Sequence, residues 1–152
     1  MNFVHFHLAI NHSPLYATLF AFVLLLIGMI IRNRSVATTG LVIAIVAALC
    51  AIAAYTTGDE AKDIIDKGPP IAGVDKTAIE PHEDAATFVV ISSCVTGFLA
   101  IVALFLGRKR ERPRWVEFIV VIALLFSITV IARTALLGGR IHHPEVRAVV
   151  RG

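Results

Sequence analysis

The groups in this chain best suited to chemistry are imidazoles and carboxylates, and they gather in three separate stretches. Histidines stand at His5, His7, His12, His82, His142 and His143. His82 is followed by Glu83 and Asp84, and His143-Pro144 by Glu145. Neutral imidazole is the commonest biological metal ligand, and a carboxylate beside it can orient the ring or join the coordination shell. Ligands from distant stretches can close a shell that neighbouring residues rarely complete. No spacing matches a strong metal motif such as H-E-x-x-H. A lipase-like G-x-S-x-G, a phosphate-cradling glycine loop and a nucleotide motif are also absent. The pattern points to ligation, not hydrolysis.

Two other ionisable residues stand out by position. Arg133 lies within ITVIARTALLGG, and an ionisable group in an apolar span is a functional hypothesis by default. It would pair with an anion at the end of its span: Glu83, Asp84, Glu145 or a cofactor carboxylate. The plainer reading is snorkelling to the interface. For Glu117, snorkelling or a pair with Arg114 suffices. Ser92, Ser93, Thr96 and Gly97 form a small-residue face of the kind that packs helices together in membranes.

The elements that must position these groups follow from where the charges fall. Of 152 residues, 57% are apolar and 16% charged, against a usual ~45–50% and ~25%. No Asp, Glu, Lys or Arg occurs in residues 1–31, 35–58, 85–107 or 118–132. A chain this small cannot hide such runs in a soluble core, whereas about 20 apolar residues span a bilayer as a helix. Four spans are expected, over 14–31, 36–55, 81–106 and 114–137, forming one all-α four-transmembrane-helix bundle from 1 to 152. The alternating ~10-residue strands of a membrane barrel are missing. Residues 1–13 read as a short interfacial helix, Ser13-Pro14 as a cap with proline at the first helical position, and Gly58 as a helix stop. A short amphipathic turn is expected over 60–67, within the 57–80 loop. Pro81 then opens the third span, and Gly138-Gly139 closes the fourth.

A formal charge of +3 does not signal nucleic acid, because the basic residues flank spans and no aromatic–basic surface is interleaved. Arg32 and Arg34 follow the first span; Arg108, Lys109, Arg110, Arg112 and Arg114 follow the third. The positive-inside rule puts both turns in the cytoplasm. The acidic 57–85 connection and both termini then face outward, which in a bacterial inner membrane means the periplasm. The first span lacks a basic leader and an A-x-A-like site, so a cleaved signal peptide is not expected. By helix arithmetic Cys50 and Cys94 sit about 21 Å and about 20 Å from opposite ends of their spans. A disulfide between them is not expected, and both read as packing residues.

Several of these motifs together resemble a known family. They are His7-Leu8-Ala9-Ile10-Asn11-His12-Ser13-Pro14, Ile79-Glu80-Pro81-His82-Glu83-Asp84-Ala85, and Arg133 with Gly138-Gly139-Arg140-Ile141-His142-His143-Pro144-Glu145. The chain resembles, over almost its whole length, the DUF2231-like family of small four-span bacterial membrane proteins, whose activity is not established. The resemblance implies the company of c-type cytochromes and therefore redox work. It singles out His7, His12, His82 and His143, and leaves His5 and His142 without a counterpart.

The leading expectation is a b-type haem protein passing electrons at the outer face, with His12 and His82 as the first axial pair and His7 and His143 as substitutes or a second pair. Arg133 and Arg140 would meet the haem propionates. The alternative is a copper, zinc or iron ion held by His7, His12, His82 and His143 with Glu83, Asp84 and Glu145. A third reading is a cofactor-free accessory subunit of a larger respiratory or photosynthetic complex. An electron-transfer or accessory role is expected in preference to a stand-alone enzyme.

Overall fold

The computed structural model describes residues 3–69, 74–108 and 112–142. Its described residues form helices and turns, with no strand among them. Helix α1 covers Phe3–Ile10, α2 Ser13–Ile30, α3 Arg34–Lys67, α4 Ile79–Leu106 and α5 Arg114–His142. Four helical segments are long and apolar enough to cross a membrane. Helix α2 packs on α3, α3 on α4, α4 on α5, and α5 back on α2, which closes a ring; α1 lies against α3. Large apolar side chains such as Phe20, Phe88, Phe98 and Phe126 stay exposed around the outside. In water that would be a defect, but in lipid it is the expected surface.

Small residues set how closely the helices approach. A Cβ at Gly28 would lie 2.3 Å from the Ala37 nitrogen, and one at Gly40 2.5 Å from the Leu25 nitrogen. Glycine is therefore required where α2 and α3 cross. The main core forms around Leu25, Leu41, Val120 and Leu124, all 0% exposed. Ser92, Ser93, Thr96 and Gly97 are buried as a packing face, and Thr96 hydrogen-bonds Ser127 at 3.0 Å. Cys50 and Cys94 are free thiols.

Helix ends differ from their local sequence signals in instructive ways. Helix α3 does not stop at Gly58 but runs unbroken through 60–67 to a cap at Gly68. At 1.5 Å per residue it is about 50 Å long and projects beyond an apolar thickness of ~30 Å. Helix α5 likewise continues through Gly138-Gly139 to His142. Gly58 and Gly138 do not act as stops; each leaves space beside a side chain from another helix. Ser13 is not the cap of α2: the cap position is His12, without a side-chain bond, and Ser13 Oγ donates back to the Ile10 carbonyl at 2.6 Å. Pro81 falls within the first turn of α4, which begins two residues earlier; an N–H missing there breaks no intrahelical bond.

The two ends of the ring are built differently. At one end α2 turns into α3 through Arg32, at φ +56°, and the Asn33 N–H bonds the Gly28 carbonyl at 2.9 Å. Asn33 then caps α3 by accepting from the Ser35 and Val36 amides. Arg34, Arg108, Arg112 and Arg114 sit at the same end. At the other end lie α1, the C-terminal half of α3, a 3-10 turn over Lys76–Ala78, and the C-terminus of α5. The Asp75 amide donates to the Ile141 carbonyl at 3.0 Å and ties that turn to α5.

Candidate functional site

A cavity of about 390 Å³ opens in the second end, inside the ~300–1,000 Å³ range of small-molecule and cofactor sites. Leu15, Val89 and Ile131 form its floor, and His7, His12 and His82 are in its wall. Asp59, Lys62 and Glu83 are its charged members.

Two of the imidazoles are held the same way. His7 leaves α1 toward α3, where its Nδ1 lies 3.0 Å from the Ala54 carbonyl oxygen. His82 leaves the first turns of α4 toward α5, where its Nδ1 lies 3.1 Å from the Thr134 carbonyl oxygen. A carbonyl can only accept, so Nδ1 carries the proton in both rings. In the neutral tautomer Nε2 then bears the free lone pair, as in histidines that ligate metals. Thr57 Oγ1, 3.3 Å from His7 Nδ1, adds a second acceptor on that ring.

Glycine recurs beside both rings. A Cβ at Gly58 would stand 3.0 Å from His7 Cε1, and a Cβ at Gly138 would stand 3.0 Å from His82 Cε1. Each glycine follows by four residues the carbonyl that anchors its ring: Ala54 and Gly58 on α3, Thr134 and Gly138 on α5. One helical turn therefore offers an acceptor and, directly above it, the room for an imidazole. Each half of the chain builds this arrangement once, and the two face one cavity.

The remaining predicted residues fall elsewhere. His12 lines the cavity, but its ring is exposed and its Nδ1 bonds Asn11 Oδ1. His5 is exposed on α1, and His142 ends α5. His143 and Glu145 lie outside the described residues. Glu83 is engaged by Lys62 of α3 in an ion pair, and Asp84 is exposed. Arg133 is exposed and stands outside the cavity lining; Arg140 is half-buried and also outside it, its Nε buried without a hydrogen-bond partner. Glu117 pairs with Arg112, at 3.4 Å, and not with Arg114, which reaches the Met29 carbonyl instead. Among the described residues no group of three or more His, Cys, Asp or Glu side chains is placed to hold a metal ion.

Sequence reading missed Lys62, Gly58 as a spacer, and the two anchoring carbonyls. The carbonyls leave no mark in a sequence. The glycines do, one in the C-terminal part of each of two apolar helices, though both also look like helix stops.

No family model matches the chain, and no curated protein or solved structure matches it either.

Proposed function

We propose that this protein binds a b-type haem between His7 and His82 and transfers electrons at that end of the bundle. The observation that carries the reading is the pair of imidazoles, each with Nδ1 committed to a helix carbonyl and Nε2 free, delivered by separate halves of the chain to one largely apolar cavity. Two such nitrogens would be enough to hold a haem iron, which needs only one or two protein ligands. They fall short of the three or four protein ligands that zinc sites use, so the haem reading is favoured over a bare metal ion. His7 displaces His12 in the pairing, because the His12 ring is exposed and bonded to Asn11. His12 would sit at the mouth.

The chain's own groups would do three things. The Ala54 and Thr134 carbonyls fix the ring planes and raise the basicity of Nε2. Gly58 and Gly138 leave the rings room to stand upright. Leu15, Val89 and Ile131 exclude water from the floor. Haem, when bound, supplies a one-electron couple whose potential such surroundings tune.

The arginine-bearing turns favour a cytoplasmic location for their end. The cavity, the termini and an interfacial α1 would then face the periplasm of a bacterial inner membrane, where a c-type cytochrome is the fitting partner. The test is an optical spectrum of the purified protein before and after dithionite, with metal analysis on the same sample. A sharp reduced α-band and one iron per chain are expected. Stoichiometric zinc or copper without a Soret band would favour the metal-ion alternative, and neither metal nor chromophore would favour a cofactor-free subunit.

A further inference from the structure

We infer that Lys62 is the carboxylate anchor of the cavity, held at its mouth by Glu83 until the carboxylate of a bound ligand takes that place. The inference rests on the haem reading above and names the residue that would recognise the ligand's acidic edge. Sequence alone puts that role on Arg133 and Arg140, yet neither lines the cavity, whereas Lys62 does.

The placement of Lys62 follows from the helix that carries it. It lies four residues beyond Gly58 on α3, so both share one face, with Lys62 about 6 Å farther along the axis. Gly58 receives the His7 ring, which puts Lys62 one turn outward from it. Its ammonium crosses to α4 and pairs with Glu83, the residue next to His82. The ion pair thus spans the cavity mouth between the two imidazole-bearing halves. Lys62 and Glu83 side chains are 35% and 33% exposed, at the boundary between the apolar floor and water.

A ligand seated on both imidazoles would bury its apolar body against Leu15, Val89 and Ile131 and leave its acidic substituents at this boundary. Among the described lining residues Lys62 is the one lysine or arginine. Its flexible stem and three donors suit an exchange of partners, and a partly exposed ion pair is weakly held, so opening it costs little. Glu83 and the ligand carboxylate compete for the same ammonium. Removing Glu83 should therefore strengthen acidic ligands, the opposite of what loss of a structural tie would do.

The test titrates the full-length protein in detergent with protohaem and with its dimethyl ester, whose carboxylates are blocked, following the Soret band and reduced α-band. Wild-type protein is expected to bind protohaem about five- to tenfold more tightly than the ester. Lys62→Met should abolish that preference by weakening protohaem alone, Lys62→Arg should restore it, and Glu83→Gln should widen it. A Lys62→Met protein that keeps the full preference overturns the assignment of Lys62 and leaves the haem reading standing. A wild-type protein that yields a low-spin spectrum with neither porphyrin overturns both.

Discussion

The two ends of this bundle put their polar side chains to different uses. At the arginine end they are ties. Arg112, its side chain only 3% exposed, reaches Glu117 of α5 at 3.4 Å and donates to Thr38 Oγ1 of α3 at 2.8 Å, while Arg34 donates to the Gly107 carbonyl that ends α4. Those contacts lash together α3, α4 and α5, and the helices close over a packed core. At the histidine end each half-buried ring gives Nδ1 to a helix carbonyl and keeps the lone pair on Nε2, in the wall of the cavity. The first pattern is what stability requires. Arg112 too has nitrogens without a hydrogen-bond partner, Nε and Nη1, but they are shut into packed protein, whereas the second pattern places a lone pair in the wall of a cavity, which is how a binding site differs from a joint.

Changes at the two ends should therefore separate cofactor from fold. The largest effect is expected from His7→Ala or His82→Ala. Either should remove the low-spin haem spectrum, with at least a hundredfold loss of affinity, and leave thermal unfolding of the apo-bundle nearly unchanged. Pyridine haemochrome content and a melting curve of each variant measure the two quantities. A histidine variant that keeps a normal α-band would break the comparison at its centre. Next in size is Arg112→Met, which strands Glu117 as a buried carboxylate. Breaking a buried pair costs about 3–5 kcal/mol, so denaturation should shift markedly, while any protein still folded keeps its spectrum. The double variant Arg112→Met, Glu117→Gln should recover much of that loss.

A smaller effect distinguishes two adjacent glycines. Gly138→Val should displace the His82 ring and weaken haem binding by roughly tenfold or more, because even a single added carbon meets Cε1 at 3.0 Å. Gly139→Ala should cost much less, since a Cβ there meets no protein atom within 4 Å and only trims the cavity that Gly139 lines. Equal losses at both sites would mean that helix propensity, and not room for the ring, explains the glycine. The smallest effect belongs to Thr57→Val, which removes the longer of the two acceptors on His7 Nδ1. A loss of about threefold in affinity is expected, in line with one weak neutral hydrogen bond.

The bundle could be read from the chain because membrane residence is written in absence. Each long uncharged run became a helix, and the short basic turns after the first and third landed at one end. What could not be read was the use of individual residues. Gly58 carries a helix-stop signal that is purely local, and the reason α3 runs past it is an imidazole 51 positions away in sequence. His7 and His12 are alike in type, and His12, two residues before Pro14 against seven for His7, has the better claim in sequence; only the packing of α1 against α3 turns the His7 ring inward and leaves the other beside Asn11. Lys62 looked like one more charge in an acidic connection, because nothing local links it to Glu83 on the next helix.

The packed middle of the bundle has one more consequence. Between the cavity and the Arg112–Glu117 pair stand Leu25, Leu41, Ala100, Val120 and Leu124, each fully buried. Beside them the seam of Thr18, Ser93, Thr96 and Ser127 has no room for a water molecule. Among the described residues this plug offers no water-sized space along that seam, so a voltage across the membrane would fall largely over it. An electron taken up and released at the cavity would begin and end on the same side of that field. The reaction would then be electrically silent, its midpoint indifferent to membrane potential, and any proton it gained or lost would be counted on one side alone.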